Sequence, residues 1–208
     1  MIAAPSGAGK TSLVRALMER EPGLRFSISY TTRKQRPAEL HGRDYFFVDR
    51  AEFDRMVAAG EFLEHAQVFD NCYGTSRRQA EESLAAGQDL ILEIDWQGAA
   101  QIRRTLPECI SVFVLPPSRA ELERRLRGRG TDAREVIRRR LRDAASDMTH
   151  WREFDHVVVN DDFSQALAEL QAIVAGRGEA TRRDRPGLAE LAARLTGEGD
   201  GKGIGDRG

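Results

Sequence analysis

The sequence predicts an α/β fold, a mostly parallel sheet with helices on both faces, and three observations predict it. β-Rich apolar runs alternate along most of the chain with stretches of helical periodicity, the pattern of βαβ units. A glycine-rich segment, Ala4-Pro5-Ser6-Gly7-Ala8-Gly9-Lys10-Thr11, passes straight into a helical pattern. The clearest apolar run, Asp89 to Ile94, ends at the carboxylates Glu93 and Asp95, on the strand edge where such sheets hold ligands.

A phosphate-binding loop normally follows a buried strand of about five residues, yet only Met1-Ile2-Ala3 precede Ala4. We therefore expect a clipped first strand and a start that lacks several apolar residues; a version extended upstream should melt at a higher temperature. In the loop, glycines let backbone N–H groups turn in around phosphate oxygens, Lys10 supplies a mobile positive charge, and the Thr11 hydroxyl can sit on Mg²⁺. The pattern G-x-x-x-x-G-K-[ST] asks for glycine where Ala4 stands, so on the motif alone a ligand-free glycine turn stays open. The helix expected from Lys10 to Arg20 carries Leu13, Leu17 and Met18 on one face, which aims its positive N-terminus into the loop.

Arg25 to Tyr30 alternates as a short strand and leads into Thr31-Thr32-Arg33-Lys34-Gln35-Arg36-Pro37, whose cations suit either a solvated loop or an anion clamp. Asp44 to Val48 reads as a strand, Arg50 to Ala59 as a helix ended by Gly60, and Glu61 to Phe69 as a strand. Asn71 to Thr75 is expected to be a turn, opening a helix over about Ser76 to Ala86 that Gly87 closes. Beyond Asp95, the chain passes through Trp96-Gln97-Gly98 into another helix. Ile110 to Leu115 is a strand stopped by Pro116-Pro117, with Ser118 placed to cap a helix from Arg119 to Arg127. Gly128-Arg129-Gly130 forms a basic turn before a long helix from about Ala133 to Trp151. His156 to Val159 is the last strand, and Asn160-Asp161-Asp162 turns the chain into a helix from Phe163 to about Ala175. After Gly176 a short helix over Pro186 to Leu195 is compatible with the pattern, but the stretch 177–208 as a whole is expected to be a charged, disordered tail.

Bulk properties exclude several function classes. The 208 residues suffice for one full core with small insertions. The 32 basic and 33 acidic residues leave a formal charge of -1, so no global field draws the chain to nucleic acid or a membrane surface. No apolar run approaches the roughly 18 residues of a spanning helix. Cys72 and Cys109 lie far apart without C-x-x-C spacing, and the four histidines share no metal-ligand spacing; a reducing cytoplasm is the expected home.

Taken in order, A-P-S-G-A-G-K-T, S-Y-T-T-R-K-Q-R-P, H-G-R-D-Y-F-F-V, E-F-L-E-H-A, Y-G-T, L-E-I-D-W-Q-G, F-V-L-P-P-S, R-L-R-G-R-G and V-N-D-D make the chain resemble the guanylate kinase family to about Ala175. The resemblance implies transfer of the γ-phosphoryl of ATP to GMP, and to dGMP, with Mg²⁺, giving ADP and GDP. It implies a P-loop core (1–28, 82–118 and 150–176), an inserted GMP-binding subdomain (29–81) and a lid (119–149). Small-molecule nucleotides are then the partners of a monomer or small homo-oligomer. Family members also vary at the first loop position, which accommodates Ala4.

The residue roles that the resemblance implies are physically sensible. Lys10 and the backbone from Ala4 to Thr11 would hold ATP, with Thr11 on the metal and Asn160 near the adenine side. Arg33 and Arg36 match a clamp on the GMP phosphate, with Ser29, Tyr45 and Tyr73 as further contacts; two guanidinium forks neutralise an acceptor that would otherwise repel ATP. Glu64 matches the carboxylate that accepts the adjacent N1–H and 2-amino donors of guanine, and Thr75 faces the guanine oxygen. On sequence grounds alone, a surface glutamate on a half-buried strand is the favoured reading of Glu64. Glu93 and Asp95 match a pair near the base or metal; relatives often have aspartate where Glu93 stands and tyrosine where Cys72 stands. Arg125, Arg129 and Arg140 match lid arginines that, with Lys10 and Arg33, stabilise charge on the transferred phosphoryl. Two other classes are weighed against this enzyme: a catalytically silent module that binds phosphopeptides, and a P-loop kinase acting on a sugar phosphate. The intact loop residues oppose the first, and Glu64 with Thr75 oppose the second.

Overall fold

The computed structural model describes residues 1–68, 70–128 and 134–197, and in them strands are interspersed with helices, interrupted by runs of consecutive strands. β1 is the two-residue Ile2–Ala3, as short as expected, and α1 is Lys10–Arg20 with Leu13, Val14 and Leu17 buried. The strand expected over residues 25–30 is instead two short ones, β2 (Leu24–Phe26) and β3 (Tyr30–Thr31), which join different sheets. β4 is Phe46–Phe47. Helix α2 (Arg50–Ala58) begins where the Asp49 carboxylate accepts from Glu52 N, and stops before Gly60 at φ 67°.

After β5 (Phe62–Val68), the stretch expected to be a turn is β6 (Asn71–Ser76), a full antiparallel partner of β5. Gly74 misled the sequence reading: it is there for packing, since a Cβ would sit 2.8 Å from Phe62 Cδ1, and not for a turn. Helix α3 is Arg77–Ala85, β7 is Asp89–Ile91, and α4 (Trp96–Thr105) starts on the Asp95 cap. Ser118 caps α5 (Arg119–Arg127) as expected, following β8 (Val112–Leu115). Helix α6 (Arg134–Met148) ends before Trp151 because Thr149–Glu153 tightens into a 3₁₀ turn. β9 (His156–Val159), α7 (Phe163–Val174) and α8 (Leu188–Thr196) complete the order.

The chain divides into two compact units. The first comprises Met1–Ile2 and Met18–Ile110. In it β2 and β7 run parallel, and Ile2 continues that pattern by donating to Leu92 O at 2.9 Å and accepting from Ile94 N at 3.2 Å. Its second sheet, ordered β4-β3-β6-β5, is mixed: β3 and β4 are parallel, while β6 is antiparallel to both neighbours. Phe53, Met56, Phe62 and Cys72 form the core beneath it, which makes Cys72 a packing residue.

The second unit comprises Ala3–Leu17 and the described residues of Ser111–Gly208. β8 and β9 pair in parallel from Val112 and His156 to Leu115 and Val159, in a sheet ordered β1-β8-β9. Phe113 and Phe154, centroids 4.9 Å apart, lie in its core with Leu122, Leu126, Leu170 and Leu195. Leu195 belongs to the stretch expected to be a disordered tail, and that expectation fails for residues 177–197. There Arg182 bridges to His156, Arg185 donates to Val157 O, Thr181 is buried, and α8 buries Leu188, Ala192 and Leu195. The short helix compatible with the sequence over Pro186 to Leu195 is present as α8, and its apolar positions at helical spacing pack it into the unit. Residues 198–208 lie outside the described part.

Candidate active site

The second unit carries the loop. Gly7 and Gly9 adopt φ of 91° and 94°, a left-handed conformation that lets the Ala4–Thr11 backbone fold back ahead of α1. Gly9 has a second reason to lack a side chain, because a Cβ there would collide with the Asn160 amide nitrogen. Asn160, only 4% exposed, donates that nitrogen to Ala8 O at 2.8 Å. Arg125 Nη1 approaches the same carbonyl at 3.3 Å, and its Nη2 donates to Asn160 O at 2.9 Å. With the Ala8 carbonyl held by Asn160 and Arg125, the loop is fixed at the positive end of α1, where an anion is favoured. Gly7, Gly9, Ser12, Arg125, Asn160, Asp161 and Phe163 line a cavity of about 300 Å³. Glu121 holds Arg125 Nε at 2.7 Å and is itself held down to a pKa of about 2 by Arg124 and then Arg125.

The first unit carries a separate polar cluster. Glu64 on β5 is 4% exposed and Thr75 on β6 is 1% exposed, and the Thr75 hydroxyl donates to Glu64 Oε1 at 2.6 Å. Nearby in sequence terms lies nothing; cross-strand pairing brings them together. Arg33 stacks over the Tyr45 ring at 5.3 Å, and Tyr45 meets Tyr73 edge-on at 6.1 Å. Burial first, and the negative charge of Glu93 next, push the Tyr45 phenol up to about 12, so it stays a protonated donor at neutral pH. Burial works against the Arg33 charge, but Glu39, 2.7 Å from Nη2, outweighs it and holds the guanidinium above its ordinary range. Glu39 also accepts from Arg36 N at 2.9 Å, so one carboxylate organises both arginines of the loop.

The family model described as guanylate kinase matches residues 1–177. The chain belongs to the guanylate kinase family. It is 55% identical over 197 residues to the guanylate kinase of Methylococcus capsulatus, covering 95% of this chain and 97% of that one. Against the Escherichia coli K12 guanylate kinase the identity is 51%, with 89% of each chain covered. The crystal structure of guanylate kinase from Anaplasma phagocytophilum superimposes with a TM-score of 0.71 at 34% identity, over 94% of this chain and 93% of the other.

Set beside the guanylate kinase pattern, the loop residues 4–11 and Asn160 come together in one unit with Arg125. Arg125, expected at a transferred phosphoryl, here grips loop backbone. Arg140 lies half-buried on α6, and Arg129 falls outside the described residues. Ser29, Arg33, Tyr45, Glu64, Tyr73, Thr75, Glu93 and Asp95 all fall in the other unit; Arg36 is there too, its side chain 58% exposed. Asp95 has a structural task as the α4 cap, accepting from Gly98 N at 2.8 Å. Sequence reasoning missed Glu39, whose importance comes from a fold-back of the loop, and Phe163, Ser12 and Asp161, which enter the cavity only through the loop-to-α7 geometry. Asp161 alone had a signal, as the neighbour of Asn160 in the V-N-D-D segment.

Proposed function

We propose that this chain transfers the γ-phosphoryl of ATP to GMP, and to dGMP, and that the two nucleotides are held by the two residue sets just described. An oxygen of the GMP phosphate attacks the γ-phosphorus; the new P–O bond forms as the bond to the β–γ bridging oxygen breaks, and that oxygen leaves on ADP. The buried Glu64 carboxylate carries the reading. Guanine presents N1–H and its 2-amino group side by side, and a carboxylate accepts both, whereas adenine presents an acceptor at N1. A carboxylate this deeply buried costs stability unless a ligand or neighbour uses it, and Thr75 supplies a partner to Oε1.

Arg33 and Arg36 would take the GMP phosphate in bidentate fashion, with Ser29, Tyr45 and Tyr73 donating hydroxyls and Glu93 near the Tyr45 side. The loop amides and Lys10 would hold the ATP phosphates, with Asn160 fixing the loop that presents them. Arg125, Arg129 and Arg140 are proposed to face the transferred phosphoryl as parts of a lid over 119–149, the subdomain over 29–81 holding GMP. Magnesium fits the donor set. Thr11 stands in the first turn of α1 beside Lys10, and among the described residues no three His, Cys, Asp or Glu side chains form a cage, so the ion would be shared with nucleotide phosphates. When bound, it neutralises charge on those phosphates. No described helix is long and apolar enough to cross a membrane.

A coupled assay with Mg·ATP and GMP, dGMP, AMP, UMP or dTMP tests the reading. Turnover on GMP and dGMP is expected, with AMP slower by about 10⁴-fold, the penalty for leaving a built polar site unpaired. Comparable turnover on AMP would overturn it.

A further inference from the structure

The face that α4 turns toward β5 is unusual in being built around a glycine in a helical position. Gly98 is buried and has no need of a left-handed backbone, and glycine inside a helix costs about 1 kcal/mol relative to alanine. Its local conformation therefore gives no reason for it. The space does: a Cβ at Gly98 would fall well inside contact distance of Glu64 Oε2 and 3.0 Å from Glu64 Cδ. Thr75 meets Oε1 from the other side, so the carboxylate is seated between a hydroxyl and a bare stretch of helix backbone.

The strand that presents Glu64 is fixed by the same helix face. Gln101, three residues on from Gly98, accepts from His65 N at 3.2 Å and donates to His65 O at 2.7 Å. A single primary amide thus answers both backbone groups of the residue next to Glu64, much as a neighbouring strand would. Gln97 adds a donor to Gln67 O at 3.4 Å while leaning on Asp95 Oδ2 at 3.1 Å. The register of β5 also shifts between Phe62 and Glu64, where Phe62, Leu63 and Glu64 are all buried. Bulges of this kind re-aim side chains, and the Gln101 bonds hold the strand immediately after it.

We propose that Gly98 and Gln101 form a positioning site for the guanine-reading carboxylate: the glycine supplies the room that Glu64 Oε2 occupies, and the glutamine locks the bulged strand so that the carboxylate points at the base. Neither residue touches the nucleotide. The inference rests on the reading of Glu64 as the guanine acceptor.

Steady-state kinetics on the full chain test it, with GMP and ATP varied separately. Gly98→Ala is expected to raise the KM for GMP about tenfold and to erode discrimination against AMP, while the KM for ATP stays within about twofold. A role confined to helix stability predicts the opposite, since alanine favours the helix. Gln101→Leu keeps the volume and removes both amide bonds; it is expected to raise the GMP KM about threefold to fivefold and covers the case in which Gly98→Ala fails to fold. A double-mutant cycle with Glu64→Ala should show strong coupling, the Gly98→Ala effect vanishing once Glu64 is gone. Additive effects, or an unchanged GMP KM in Gln101→Leu and Gly98→Ala while Glu64→Ala is impaired, would overturn the positioning role alone. An unimpaired Glu64→Ala enzyme would overturn the reading of Glu64 and the inference with it.

Discussion

At the scale of single residues, the geometry separates side chains that must be what they are from those that only carry charge. Arg33 is tied by one end to Glu39 and Lys34 O and stacked on Tyr45. Lysine would keep the charge but lose the planar fork and the stacking. Arg33→Lys is therefore expected to raise the KM for GMP by roughly 10 to 100-fold with little change for ATP, measured in the coupled assay; an unchanged value would remove Arg33 from the phosphate clamp. Gly9 is constrained twice, by its φ of 94° and by the Asn160 amide in the place of its Cβ. An L-residue in that conformation costs roughly 1–2 kcal/mol before Asn160 moves. Gly9→Ala should weaken ATP binding at least about tenfold in calorimetric titration, and undiminished affinity would show that the loop does not hold the phosphates.

At the scale of elements, most helices were legible because their caps and stops are local chemistry. Asp49, Ser118 and Asp162 each accept from a backbone N–H three residues on, and of these Ser118 was the cap expected from the sequence. The strands were harder. β2 and β3 are short, and whether Arg25 to Tyr30 feeds one sheet or two depends on partners at Asp89 and Gly74, more than forty residues away. The candidate site shows the same divide. Lys10 declares itself by type and spacing, while the roles of the arginines follow only from the family resemblance; that Glu64 is buried against Thr75 follows from pairing between β5 and β6, which no local pattern encodes.

A pH dependence belongs to this scale as well, because it arises where β9 meets the C-terminal segment. His156 Nδ1 lies 3.1 Å from Gly178 O and 3.0 Å from Thr181 Oγ1, with Asp155, Glu179 and Arg182 around it. Burial lowers its pKa below the ordinary 6.5, more than the Asp155 charge restores. Burial alone would raise Asp155, but the hydrogen bonds from Ser111 Oγ and N outweigh it and bring its pKa below 3.8. Both groups take up protons more readily in the unfolded chain, so stability falls as pH drops: through His156 once below 6.5, and through Asp155 below 3.8. Melting temperature should fall between pH 7.5 and 5.5 by more in the native protein than in His156→Gln; equal slopes would refute the assignment.

At the scale of the whole molecule, the second unit depends on a short helix in a stretch that was expected, as a whole, to be a disordered tail. Leu195 is 1% exposed on α8, a helix packed against α6. Leu195→Ala is expected to cost about 2–5 kcal/mol, and so to lower the melting temperature by roughly 5–15 °C; a change under about 1 kcal/mol would mean that α8 is dispensable to the fold.

β5 is one of the two edge strands of its four-stranded sheet. A strand in that position offers bare N–H and C=O groups to any extended peptide, and other copies of the same protein are the commonest takers. Here the amides of Gln97 and Gln101 already occupy backbone groups of Gln67 and His65. Two glutamines on a helix thus already hold backbone groups along that margin that a visiting chain would need.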